Sequence, residues 1–448
     1  MDYFLFALAL VLLLSAGLGV TSFLASERDQ LGPGETAALT FLFGATFISL
    51  VSFLLGFVLS GIVLRLVVAI STGCLGIIGV RRISRDRSVR LKRPRGRDWL
   101  WCGVLILQSL IVFWLSLRLS LGFDGLFLWE AKARLIFVSG GGIAPDYIRA
   151  NQFEIAHPYY PLFLPFVESW FYGFLGRPHQ GWLKLVLPLF YVAAVGLLAR
   201  NRLNRSYLPA VMLFFVPVFL IRVTSGEADF PLAVFYLGAS LYFLDYLKTG
   251  NSRLLLIAGA FAAVLPWVKR EGAILFAVLM IVGAVRFFSE RSMRNLIVLA
   301  APGLLWLGFW RLFLAVVGAP DDLNYFPATP RMLIANVSRI PEIAREASRE
   351  FFRWRMWSIL WMVPLRGFLN LKQCWVWMLL TLSPLMIYAA IYIFSAWVPW
   401  LSHLHASYSR LMTHVALVAL LGLGSSPPAA PLFALRGEER PLPDASAP

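Results

Sequence analysis

Long apolar stretches alternate with short charged clusters along the whole chain. Residues 3–24, 38–80, 99–121, 207–222, 230–247, 254–268, 272–288, 295–317 and 375–398 are each mostly or wholly apolar. A run of about 18 or more such residues reads as a membrane-spanning helix. Backbone amides in lipid must pair within their own segment, which makes helix the expected form. Alternation with a period of two is absent, so a barrel is not expected. The run 38–80 is too long for one span, and "GFVLSG" at 56–61 predicts a turn between two. In "GFDGLFLWEAKARLIF", residues 122–137, a different pattern appears. Phe123, Phe127, Ala131 and Leu135 recur every four residues, Asp124, Leu128 and Lys132 form a neighbouring stripe, and Glu130 stands at i,i+4 from Arg134. This spacing predicts a short helix over 123–138, lying in the membrane interface and ended by "SGGGIAPD".

Composition agrees with the pattern. Hydrophobic residues make up 59% of the chain and charged residues 14%, with a mean hydropathy of +0.74. Soluble domains carry about 25% charged residues. The expected fold is therefore an all-α polytopic membrane protein with about 12–14 transmembrane helices and short interfacial helices in its outer loops. The first apolar segment lacks a basic leader and is expected to stay as a helix. One transmembrane domain over 1–424 is expected, followed by a Pro/Ala-rich, disordered tail at 425–448.

The net charge is +16. Its distribution matters more than its size. "RRISRDRSVRLKRPRGR", residues 81–97, carries nine Lys or Arg and one Asp, which predicts a cytoplasmic loop. No nucleic-acid-binding motif accompanies the charge, so no nucleic-acid partner is expected. Anionic membrane lipids are a secondary partner for such a loop. Cys74, Cys102 and Cys374 lie in or beside apolar runs without metal or disulfide spacing.

Alternation from a cytoplasmic 81–97 puts outer loops near 122–158, 223–229, 268–272, 318–356 and 397–410. The segments between 157 and 205 are the hardest to place, because Pro158, Pro161 and Pro165 interrupt one of them and "RNRLNR" at 200–205 looks cytoplasmic. Asp124, Glu227, Asp229, Lys269, Arg270 and Glu271 then all fall on the outer side. Asp124 is either the N-cap of the interfacial helix or a general base toward an acceptor hydroxyl or amine. The acids and bases at 227–229 and 269–271 are either snorkelling helix ends or a set that holds a phosphate. His157 and Tyr160, in "HPYY", form either part of an aromatic belt or contacts to a sugar or phosphate. His403, His405, Tyr408 and Arg410 make a late cluster, with Arg410 suited to phosphate or to anchoring. No metal spacing occurs, so a divalent metal is compatible but not indicated.

Four stretches carry a resemblance: "FDGLFLWEAKARLIFVSGG", "HPYYPLFLPF", "SGEADFPLAVF" and "WVKREGAILF", spanning about residues 120–285. In this order they resemble the GT-C glycosyltransferases that use polyprenyl-phosphate sugars, in the bacterial branch of protein O-mannosyltransferases and lipid A aminoarabinose transferases. The resemblance implies an inverting transfer at the outer face of the inner (plasma) membrane. The donor would be a lipid-linked sugar and the acceptor a glycan, lipid or protein. It implies Asp124 as the carboxylate near the acceptor and Lys269, Arg270 or Arg410 as phosphate ligands. Lys132, His157, Tyr160, Glu227, Asp229, Glu271 and His405 complete the expected substrate-binding set. Relatives often carry adjacent acids where Gly125 follows Asp124 here. A phosphate-linked sugar already has its leaving group, which fits the absence of any P-loop or GxGxxG after a strand. A transporter or flippase of a lipid-linked sugar is the alternative, since it too uses many spans and intramembrane ions.

Overall fold

A computed structural model describes residues 1–24, 31–86, 98–143, 145–149, 157–199, 206–289, 291–320 and 322–423. Most of the basic segment 81–97, the "RNRLNR" segment and the tail 425–448 lie outside the described residues. The chain is an all-α membrane protein. Among the described residues there is no strand, only one antiparallel bridge between Tyr325 and Ser395.

Helices α1 (Asp2–Leu24), α2 (Pro33–Leu55), α3 (Gly61–Asp86) and α4 (Asp98–Arg118) come first. A π-helical segment, Gly125–Glu130, leads into α5 (Ala131–Val138), followed by α6 (Pro145–Arg149), α7 (Phe163–Leu175), α8 (Gln180–Leu198), α9 (Leu208–Met212) and α10 (Pro217–Thr224). The second half holds α11 (Asp229–Thr249), α12 (Ser252–Val268), α13 (Gly272–Ser289) and α14 (Met293–Val317). After these come α15 (Pro330–Asn336), α16 (Ile340–Phe351), α17 (Trp354–Trp357), α18 (Met362–Leu365), α19 (Leu371–Ile391) and α20 (Trp400–Leu420). Among the described residues nine helices are long and apolar enough to span a membrane, α18 and α19 counting as one stretch, while α12 is apolar but shorter. The expected 12–14 includes runs that fold into shorter pieces. Thus α7 has thirteen residues, about 20 Å of helix, and 207–222 divides at Pro217 into α9 and α10.

Local signals start and stop these helices. Pro33 opens α2, and Glu35 caps the backbone N–H of Gly32 at 3.2 Å. Gly250, at φ +71°, ends α11, and the Asn251 side chain caps α12 by accepting from the Arg253 N–H. Close helix packing depends on small residues. A Cβ on Gly17 of α1 would sit 1.6 Å from the Thr40 carbonyl oxygen of α2, and one on Gly44 would sit 2.1 Å from that of Leu13. Small residues facing each other are how membrane helices bring their backbones together.

At the centre stands α11, in which every residue from Asp229 to Tyr246 is buried. It packs on α12, α8 and α20, while α3, α4 and α14 turn mostly exposed apolar faces outward. Aromatic rings fill the space between α2, α12 and α14, where Phe53 meets Trp306 and Trp310, and Trp267 meets Trp306, edge to face, and Phe53 lies tilted against Trp267. The buried Trp267 indole donates to Ser49 Oγ at 2.9 Å, whereas the Trp306 indole N–H of the same cluster is buried without an acceptor among the described residues.

Two expectations change. Residues 397–410 are not an outer loop beyond Pro399. From Trp400 they form the first half of α20, in which buried His403 and Tyr408 break the apolar pattern without breaking the helix. The segment 123–138 does not rest with one flat face on lipid. Phe123 and Phe127 are exposed, but Trp129, Glu130, Lys132 and Ile136 are buried, and α5 packs on α7.

Candidate functional site

The α4 end, the 225–228 turn, the α12–α13 turn, the loop after α14 and the middle of α20 meet at one end of the bundle. The π-helix brings Asp124 there. The Ala131 N–H reaches back to the Leu126 carbonyl, five residues away, and this wider turn holds one more residue than an α-turn. Gly125 permits the contact, because a Cβ on it would lie 2.0 Å from the Ser225 carbonyl oxygen. Gly122 N–H donates to that same carbonyl at 2.8 Å. Asp124 makes no capping bond. Its carboxylate instead forms an ion pair with Arg410 of α20, 286 residues away. That contact answers the N-cap question for Asp124.

Beneath this pair lies a sealed layer. Asp229 Oδ1 accepts from Lys269 Nζ at 2.7 Å and from His414 Nε2 at 2.8 Å, and all three side chains are at most 1% exposed. His414 Nδ1 meets the Tyr388 hydroxyl at 3.2 Å. In the neutral tautomer that gives Nε2–H to Asp229, Nδ1 accepts from the Tyr388 hydroxyl. Glu271 Oε1 stands 3.6 Å from Lys269 Nζ. Arg222 of α10 donates to Glu227 at 2.9 Å and to Ser409 Oγ at 3.4 Å.

A second arm is more open. Arg270 pairs with Asp322, and Asp322 Oδ1 accepts from the Tyr159 hydroxyl at 3.0 Å. His157 Nδ1 meets the same hydroxyl at 3.0 Å, and its ring stacks on Tyr160. Lys132 Nζ donates to the His157 carbonyl at 2.8 Å and faces the Trp129 and Tyr160 rings. Arg270 also lies over Tyr160, and over Tyr325.

Five carboxylates (Asp124, Glu227, Asp229, Glu271 and Asp322) and four cations (Arg222, Lys269, Arg270 and Arg410) leave one surplus negative charge if all are ionised. Burial, with Asp229 close by, raises the Glu227 pKa and moves the cluster toward neutrality. Burial opposes ionisation of Glu271 too, but Lys269 and Arg270 overcome it and hold that carboxyl below its usual range. Asp322 is lowered in the same way: Arg270 and the Asn324 N–H outweigh burial. Burial alone depresses Lys132 to about 7. Burial, then the neighbouring Lys132 charge, lowers His157 to about 4, leaving it neutral near pH 7.

The structure therefore brings Asp124, Lys132, His157, Tyr160, Glu227, Asp229, Lys269, Arg270, Glu271 and Arg410 together. His405 is not among them. It points away from the cluster, more than half exposed, and meets Glu346 of α16 at 3.3 Å. Sequence reasoning missed Arg222, Asp322, Tyr388 and His414. For His414 a signal existed, since it lies one helical turn after Arg410 on α20. Asp322 carried no such signal in its loop. Among the described residues no His/Cys/Asp/Glu group has the arrangement of a metal site.

No protein-family model, no curated protein and no solved structure matches this chain.

Proposed function

We propose that this protein is an inverting membrane glycosyltransferase that moves a sugar from a polyprenyl-phosphate donor to a cell-envelope glycan, lipid or protein at the outer face of the membrane. One observation carries this reading: the Asp124 carboxylate is held by Arg410 rather than by its own helix. Each partner keeps about a fifth of its side chain exposed, whereas Asp229, Lys269 and His414 are sealed.

The charge balance dictates how such a site works. Arg222, Lys269, Arg270 and Arg410 are already paired with carboxylates, so a phosphate entering at any of them must displace one. Exchange at Arg410 would free Asp124 as the donor phosphate binds. The freed carboxylate accepts the proton of the acceptor hydroxyl, whose oxygen forms a bond to the anomeric carbon. The bond from that carbon to the phosphate oxygen breaks, with inversion, and the electron pair leaves on polyprenyl phosphate held by Arg410. Arg270 and Asp322 border the open side and would orient the acceptor. The Asp229–Lys269–His414 layer keeps Arg410 in place from below.

Purified protein should transfer labelled sugar from polyprenyl phosphate to an envelope acceptor, and Asp124→Asn should reduce turnover by about 100-fold or more. Full activity in a well-folded Asp124→Asn protein would sink the mechanism. Movement of the sugar-lipid across sealed vesicles without any acceptor would replace the enzyme with a flippase.

A further inference from the structure

Trp397, in the turn that leads into α20, is 41% exposed although its ring is held on two sides. One face stacks on the His403 imidazole, with centroids 4.5 Å apart and planes 13° from parallel. The indole N–H donates to Asn324 Oδ1 at 2.8 Å. The Trp397 backbone N–H goes to Ser395 Oγ at 3.3 Å, and the Ala396 N–H to the Asn324 carbonyl at 2.9 Å. The ring is therefore fixed, and what stays exposed is its opposite face and edge. His403 is fixed in turn. Its Nδ1 meets Ser395 Oγ at 2.9 Å, and its Nε2 meets the Tyr325 hydroxyl at 3.3 Å. Tyr325 carries the Arg270 guanidinium on its ring, so ring contacts run from Trp397 to the open arm of the ion cluster. Polar groups follow the same line. Asn324 gives one amide hydrogen to Asp322 Oδ1 at 2.9 Å, and a side-chain amide has two. A tryptophan of an interfacial belt turns its N–H toward headgroups and water. Trp397 turns its N–H inward to protein.

We infer that the open face of Trp397 is a stacking platform for a neutral oligosaccharide, and that the acceptor of the transfer is a glycan. A sugar ring packs its C–H face on an indole and offers hydroxyls at its edge to an amide, and ligand sites pair these two kinds of surface. Neutrality follows from the neighbours: Asn324 carries no charge, and Asp322 and Arg270 already pair with each other. Position favours the acceptor over the donor. His403 and Arg410 are seven residues apart on α20, so they share one face about 10 Å apart. The sugar being transferred is bonded to the phosphate on Arg410, and one ring does not reach back two turns of helix. The following units of an acceptor chain do. The acceptor role rests on the transferase reading; the binding of sugar at Trp397 does not.

Saturation-transfer NMR on the full chain in phosphatidylcholine nanodiscs, with mannotriose or chitotriose and no donor, tests the platform. The wild type should bind at least one of the two. Trp397→Ala should bind about tenfold more weakly, and Trp397→Phe, which keeps a flat face, should fall between. In the transfer assay with a glycan acceptor, Trp397→Ala should raise the acceptor KM and keep kcat, because the ring lies away from the reacting atoms. Thermal unfolding and size-exclusion profiles establish that each variant is folded. Binding of neither trisaccharide by the wild type, or unchanged binding by folded Trp397→Ala, would overturn the platform and leave Trp397 as an interface anchor. Transfer with an unchanged acceptor KM in Trp397→Ala would overturn the acceptor assignment. Trp397-dependent binding in a protein that transfers no sugar would uphold the platform and remove the transferase.

Discussion

Lys132 shows how a single residue can carry a charge problem that its surroundings only partly answer. Its side chain is buried, it donates to one carbonyl and faces two rings, and no carboxylate among the described residues pairs with it. Burial lowers its pKa from 10.5 to about 7. Below pH 7 the amine is charged in both folded and unfolded chains, and the folded state bears the whole burial cost. Between pH 7 and 10.5 the unfolded chain binds more protons, so stability rises with pH. Above that range both states are neutral and the cost is gone. The penalty at low pH is on the order of 5 kcal/mol, less what the two aromatic faces return. Thermal unfolding in detergent should therefore show wild type gaining on Lys132→Met as the pH goes from 6 to 9. A gap between the two proteins that stays constant with pH would show that the ammonium is fully stabilised where it lies.

At the scale of the element, the π-helix is the feature on which the Asp124 contact depends. Gly125→Ala places a methyl against the Ser225 carbonyl. The backbone there must move, at a cost of about 1–3 kcal/mol, and Asp124 moves with it. Activity should fall at least tenfold while the protein still folds; unchanged turnover would detach the π-turn from the site. This element also marks where sequence reading stops. The Glu130–Arg134 pair was legible because i,i+4 spacing is a local property, and the structure contains it. The apolar runs likewise announced α1, α2, α4, α11 and α13. The π-turn was not legible, and the Ser225 carbonyl packed against its Gly125 lies 100 residues away. Nor was α20, since His403, Tyr408 and Arg410 look like loop residues until their inward packing is known. Asp124 was ambiguous for the same reason: both a cap and a base need a carboxylate at a helix start, and only the tertiary partner tells them apart.

For the whole molecule, the ion cluster fixes which helix ends lie together, and one experiment then fixes their side of the membrane. Asp229 opens α11 in the cluster and Thr249 closes it, about 31 Å away along the axis. Gly61, at the start of α3, bonds to the Gly140 turn, which follows α5 from the same end as Asp124. Ser60 and Thr249 are both exposed and should therefore be on opposite sides. With Cys74, Cys102 and Cys374 first replaced by serine or alanine, single Ser60→Cys and Thr249→Cys proteins can be probed in intact cells with a membrane-impermeant thiol reagent. Basic segments resist translocation, so 81–97 should remain inside. Ser60→Cys should then be labelled in intact cells and Thr249→Cys only after lysis. The reverse pattern would put the Asp124–Arg410 pair in the cytoplasm, where an outer-face acceptor could not reach it. Labelling of both in intact cells would mean that α11 does not span, and the bundle built around it would need to be redrawn.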